Sequence, residues 1–201
     1  MSIKREEYIR IEKNTNGVCT IWMNQINEKI NKIGPDLIGL FDDVFNELEQ
    51  DNSIKAYVLA SRKKDFIAGA DIDAFQKVEK PGDWKPIAEK GHTILKRIEQ
   101  SKKPIVAAIH GNALGAGLEI ALACHARICS NDKSTKMALP EVKLGLLPGG
   151  GGTQRLPRLV GLQTALDMML TGKNIFPYPA LKMGLVDKVV HVNALQKALK
   201  N

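Results

Sequence analysis

Two carboxylates stand where the surrounding sequence is apolar. Glu119 lies in the first turns of the run Leu118-Glu119-Ile120-Ala121-Leu122-Ala123-Cys124, and Glu141 follows Pro140 ahead of a second apolar stretch. An ionised carboxylate without a partner costs several kcal/mol in such a setting, so each needs a partner or a task. Facing one pocket, with pKa values pushed apart by burial, the two could serve as acid and base for adding or removing water. Read singly, Glu119 is also a charge favoured at a helix N-terminus, and Glu141 a surface or capping residue.

Three glycine turns accompany them: Ala68-Gly69-Ala70, Gly115-Ala116-Gly117 and Gly149-Gly150-Gly151-Gly152. The second sits in IHGNALGAGLEIALACHA, residues 109–126, and matches none of the common ligand loops. It lacks the Gly-Lys-Ser/Thr of a phosphate loop, and Ile120 stands where a dinucleotide fingerprint needs its third glycine. It offers no serine for a nucleophile elbow. What remains is a pair of backbone N–H groups at positive helix ends, a geometry that binds an oxyanion. Taken one at a time, such turns are equally tight connections between strand and helix.

The elements that would position these groups read clearly. YIRIEKNTNGVCTIWMN (8–24) is a hairpin about Asn16-Gly17, and 34–51 carries Leu37, Leu40, Phe41, Val44, Phe45 and Leu48 at helical spacing. IKAYVLAS (54–61) and PIVAAIHG (104–111) are buried strands, with a glycine-containing loop at 65–75 and a helix at 86–101 between them. A helix after Gly115, strands at 126–130 and 136–141, a loop at 144–161, helices at 162–172 and around 177–184, and a strand at 187–192 complete the chain. The charged stretch 77–86 reads as a surface loop. Strands alternating with helices predict an α/β fold with a largely parallel sheet, and ligands bind at the carboxyl edge of such sheets.

Length and composition narrow the function classes. The 201 residues fit one domain, and 44% hydrophobic with 25% charged residues is ordinary for a globular chain. The net charge of +7 suits an anionic ligand, but the cations are scattered and aromatics are only 5%, which argues against nucleic acid as a partner. Cys19, Cys124 and Cys129 have no metal spacing, so no metal is expected and the thiols read as buried in a reducing compartment. Cys124 beside His125 is no catalytic pair, because neighbours on a helix do not face each other, and His110 reads as structural. No apolar run approaches the roughly 18 residues of a membrane span, and a cytoplasmic location is expected.

FIAGADIDAF, IHGNALGAGLEIALACHARICSND, LPEVKLGLLPGGGGTQRLPRLVG and MLTGKNIFPYPALKMGLVDKVV together resemble the enoyl-CoA hydratase/isomerase (crotonase) superfamily. The likeness is strongest to the hydratase half of the α-subunit of bacterial fatty-acid oxidation complexes, and it runs from about residue 8 to residue 190. It implies a crotonase-like fold of repeated ββα units over 1–190, with 191–201 beginning a C-terminal helix that continues in relatives, so the chain reads as a truncated piece. It implies syn hydration of a 2-trans-enoyl-CoA, with Glu119 activating water and Glu141 exchanging the α-proton. The oxyanion-hole N–H groups fall on Ala70 and on Ala116, where many relatives have Gly. Gly149 falls on a water-positioning backbone group, Ala68, Gly69 and Ile72 on the loop around the CoA adenine, and Lys29 and Asn31 where relatives clasp CoA. The CoA thioester is then the substrate and no cofactor is required. The expected assembly is a homo-oligomer, or a complex with a thiolase subunit in the full-length protein.

Two other readings stay open. A Δ3,Δ2-enoyl-CoA isomerase needs only one carboxylate, so the presence of both favours the hydratase without excluding a double activity. A non-catalytic binding module, RNA-binding among them, would be marked by a lost carboxylate or a collapsed pocket.

Overall fold

The structure, a computed structural model, describes residues 4–76 and 80–199. Strand β1 (Ile9–Lys13) pairs antiparallel with β2 (Val18–Met23). Asn14 Oδ1 closes the turn between them, accepting the N–H groups of Asn16 and Val18 at 3.0 and 2.9 Å. Helix α1 (Pro35–Glu49) buries Leu37, Phe41, Val44, Phe45 and Leu48 along one stripe, with Leu40 half-buried at its edge. The apolar β3 (Ala56–Ser61) follows, then the short α2 (Ile72–Gln76) and the long α3 (Trp84–Glu99). Next come β4 (Ile105–Ile109), β5 (Asn112–Leu114), α4 (Ala116–Ala123), β6 (Ala126–Ser130) and β7 (Lys136–Ala138). A 3-10 turn (Glu141–Leu144) leads to α5 (Gly152–Val160), α6 (Leu162–Thr171), α7 (Pro177–Lys182), β8 (Lys188–Val190) and α8 (Val192–Ala198).

Six strands form the main sheet in the order β1-β2-β3-β4-β6-β8, parallel from β2 onward. A second row runs beside it: β5 pairs parallel with β7, and single bridges join Ile33 to Ala70, Ile67 to Ala113 and Met137 to Ile175. Each unit therefore runs strand, second-row segment, helix. β2 leads through Ile33 to α1, β3 through Ile67 and Ala70 to α2 and α3, β4 through β5 to α4, and β6 through β7 toward α5. This is the expected repeated ββα arrangement.

Helix α4 is buried almost throughout, from Gly117 to Ala123. Its last carbonyls are satisfied by the buried Arg127 guanidinium, which donates to Ala121 O at 3.3 Å and Cys124 O at 2.9 Å. Arg127 also donates to Leu185 O and pairs with Asp187, tying β6 to the segment before β8. Among the described residues no helix is long and apolar enough to cross a membrane.

Three sequence readings are corrected. The expected loop at 144–161 contains α5, whose glycines and Pro157 read as breakers; the helix forms because Leu156 is fully buried and the first turn is capped from elsewhere in the fold. The sequence marks no strand between 111 and the helix after Gly115, where the structure has β5, because a strand of three residues has no period to detect. The expected surface loop at 77–86 becomes α3 from Trp84 onward, with Pro86 in a first turn that needs no N–H, while 77–79 lie outside the described residues.

Candidate active site

Glycine 115 opens α4 with φ 51° and ψ −124°, a backbone region that side-chain-bearing residues rarely adopt. Its N–H donates to Ala138 O at 2.9 Å, while Leu114 N–H donates to Ile67 O at 3.1 Å, so the turn is fixed to the second row on both sides. Ala116 is then the first residue of the helix, and its N–H has no acceptor within it. Across the row, Ile33 N–H donates to Gly69 O and Asp71 N–H to Ile33 O, each at 2.9 Å. Those two bonds flank Ala70 and turn its own N–H away from Ile33, toward the side where the Gly115 turn lies. Neither amide is spent on a carbonyl elsewhere in the described fold. Both line one cavity of about 600 Å³ at the carboxyl edge of the main sheet, walled by Phe41, Ile94, Leu95 and Ile98.

Glu119 reaches that cavity from the first turn of α4 and is only 2% exposed. Its Oε1 accepts the N–H groups of Gly150 and Gly152, each at 2.8 Å. Gly151, at the start of α5, has no side chain to cap that helix, and Glu119 supplies the missing cap from another element. The positive end of α5 in turn favours the carboxylate. Burial pushes the Glu119 pKa above the usual carboxylate range; the Gly152 and Gly150 amides oppose it, helped by charge from His92 and Arg155.

Glu141 enters the same cavity from the start of the 3-10 turn. Its Oε2 is buried with no hydrogen-bond partner. Burial, with the negative charge of Glu119 adding and its own N–H opposing, pushes its pKa up to about 7. The cavity thus holds one carboxylate seated by amides and one carboxyl with a free oxygen, poised to exchange a proton near neutrality.

The enoyl-CoA hydratase/isomerase family model matches residues 13–200. The chain belongs to that family. It is 49% identical over 186 residues to the fatty acid oxidation complex subunit alpha of Shewanella sp. strain ANA-3, covering 92% of this chain and 26% of that protein. The chain therefore spans about a quarter of the length of the curated relatives it matches. Among solved structures, the enoyl-CoA hydratase of Geobacillus kaustophilus superposes with a TM-score of 0.90 at 33% identity, over 96% of this chain and 72% of that one. The Bacillus anthracis enoyl-CoA hydratase gives 0.87 at 31% identity, over 96% and 74%. The crotonase-like fold is shared with both.

Of the site residues expected from the motif resemblance, Ala68, Gly69, Ala70, Ile72, Ala116, Glu119, Glu141 and Gly149 all line the cavity. Lys29 and Asn31 do not. Lys29 is exposed on a loop. Asn31 is fully buried; its Nδ2 donates to Met23 O, Ser61 Oγ and Phe66 O, and its Oδ1 accepts the Gln25 N–H. Its side-chain hydrogen-bonding atoms are all taken up within the fold. It positions the loop leading to Ala70, whose Ala68 N–H also donates to Asn31 O.

The sequence singles out the Gly149–Gly152 turn without giving Gly150 or Gly152 a role of its own, and it does not mark His92. The two glycines hold Glu119 while Gly149 only lines the cavity, and His92 faces the cavity from α3. The four-glycine run was the signal for the first two; a single histidine on a helix gave none. The other candidates are structural: His110 Nε2 donates to Lys63 O at 2.8 Å, and His125 Nδ1 accepts the Ile105 N–H. Burial pushes the Cys124 thiol up to about 12. Among the described residues no cluster of three metal-ligating side chains occurs.

Proposed function

We propose that this domain adds water syn across a 2-trans-enoyl-CoA to give the 3-hydroxyacyl-CoA, as one step of fatty-acid β-oxidation. One observation carries the reading: Glu119, Glu141 and the unspent N–H groups of Ala70 and Ala116 line a single apolar cavity. The two amides receive the thioester oxygen as it gains charge in the enolate; losing one such donor typically costs about 2.7–4 kcal/mol of transition-state stabilisation. Glu119, seated by two amides, takes a proton from the attacking water, with the amide of Gly149 helping to hold that water. Glu141, which holds its proton up to near neutrality, delivers one to Cα. Ala68, Gly69 and Ile72 line the end of the cavity that would meet the CoA moiety. These steps require no cofactor beyond the CoA thioester itself.

The length and names of the curated relatives support placing this domain within a multifunctional α-subunit, where its product would pass to a dehydrogenase and then to a thiolase partner in a cytoplasmic complex. A second activity, shifting a 3-enoyl to a 2-enoyl double bond, is favoured by Glu141 alone, since a carboxyl with an unpartnered oxygen can carry a proton from one carbon to another.

The test follows crotonyl-CoA absorbance on adding the protein, beside Glu119→Gln and Glu141→Gln. Hydration abolished by either change supports the two-carboxylate mechanism. Loss with Glu141→Gln alone, or turnover of a 3-enoyl substrate only, moves the isomerase ahead. A folded protein that binds no CoA overturns the assignment.

A further inference from the structure

Arg155 lies one turn into α5, and its guanidinium is largely buried, with the side chain 15% exposed. NH1 donates to Gly150 O at 3.2 Å, and NH2 pairs with Glu99 Oε2 at 3.0 Å at the end of α3. The same NH1 fills the space in which a Cβ on Gly151 would stand. Its Nε is buried without a partner. A buried cation with an unmet donor does not recover its desolvation locally, so stability alone is a poor account of it.

What the guanidinium grips is the peptide between the two amides that seat the base. Gly150 N–H and Gly152 N–H both donate to Glu119 Oε1, and Arg155 holds the Gly150 carbonyl between them. We propose that Arg155, tethered to α3 by Glu99, is a positioning residue for Glu119: it fixes the Gly150–Gly152 turn so that both amides converge on one carboxylate oxygen. It touches no reacting atom. The inference rests on the reading of Glu119 as the group that handles water.

Charge acts in the same direction. The groups that face Glu119 are His92 from α3, Arg155 from α5 and Glu141 from the 3-10 turn. Of these, His92 and Arg155 favour the carboxylate. Facing Arg155 itself is Glu99. Removing the guanidinium therefore loosens the seat and raises the pH at which Glu119 ionises.

The experiment compares wild type with Arg155→Met, Arg155→Lys and Glu99→Gln, using melting curves to confirm folding. It measures kcat and KM for crotonyl-CoA across pH, and the Glu119 carboxyl titration by 13C NMR, assigned with Glu119→Gln. Arg155→Met is expected to lower kcat roughly tenfold with KM within about twofold, as a displaced catalytic group does. Its acid limb and the NMR midpoint of Glu119 should both move up by about half a pH unit. Arg155→Lys should restore part of each, and Glu99→Gln should show a weaker change in the same direction. If Arg155→Met does not fold, the latter two variants carry the test. Folded variants with wild-type kcat, acid limb and NMR midpoint overturn the proposal, as does a change confined to melting temperature or KM. If wild type does not hydrate crotonyl-CoA, the hydratase reading fails on its own, and the NMR midpoint still decides the role of Arg155.

Discussion

A Cβ placed on Gly150 would stand 2.5 Å from Glu119 Oε2 and 2.9 Å from its carboxyl carbon. The Glu119 carboxylate and the glycine backbone are therefore in as close a fit as their atoms allow. Gly150→Ala must push the carboxylate off its two amides, because a methyl on backbone cannot swing aside. The expected result is a folded protein whose kcat for crotonyl-CoA falls by about 100-fold, the scale of a 1 Å misplacement. A near-normal kcat with unchanged circular dichroism would contradict the seating.

Glu141→Gln gives a stability effect whose size depends on pH. The folded Glu141 pKa, about 7, lies above its unfolded value near 4.5, so the native state binds the extra proton between those limits. Native stability contributed by Glu141 is full below the unfolded value and is lost as pH rises through 7. Replacing it by a neutral isostere should leave stability near that of wild type at pH 4 and raise it at pH 8 by about 1–3 kcal/mol. Urea titrations at the two pH values measure the difference.

Gly115→Ala meets two obstacles at once. The residue needs a positive φ, and the new Cβ would stand 3.1 Å from Glu141 Oε1. Backbone strain of this kind costs about 1–3 kcal/mol. The variant should melt earlier and also turn over more slowly, because the Ala116 N–H moves with the turn. A loss of stability with unaltered kcat would separate that amide from the chemistry.

Asn31→Ala distinguishes a fold residue from a ligand clasp. Removing the side chain strips partners from Met23 O, Ser61 Oγ, Phe66 O and the Gln25 N–H. Met23 O keeps the Arg62 N–H, and Ser61 Oγ keeps Asp65 O and the Lys63 N–H. The expected cost is about 2–4 kcal/mol, from Phe66 O and the Gln25 N–H left unpaired at about 1–3 kcal/mol each where no water replaces the side chain. In the folded variant KM should stay within about twofold. A raised KM at unchanged melting temperature would support the clasp.

How much of this was legible in the residues depends on the range of the interactions. Hydrophobic spacing located α1 and α3, and continuous apolar runs located β3 and β4, because those patterns are set by local periodicity. The two carboxylates stood out for the same local reason, each being a charge in an apolar run. Helix α5 did not, since Gly149–Gly152 and Pro157 carry the composition of a loop; its cap comes from Glu119 and its anchor from the burial of Leu156. Asn31 was marked only by the family resemblance, and nothing in its local sequence shows that its side-chain atoms are taken by Met23, Gln25, Ser61 and Phe66, which the fold brings to it.

The Glu119–Gly150 hydrogen bond spans 31 residues of chain. The seat of Glu119 is therefore a tertiary contact and not a local one: it exists only while α4 and α5 are docked, and an opening that separates the two helices would release the carboxylate.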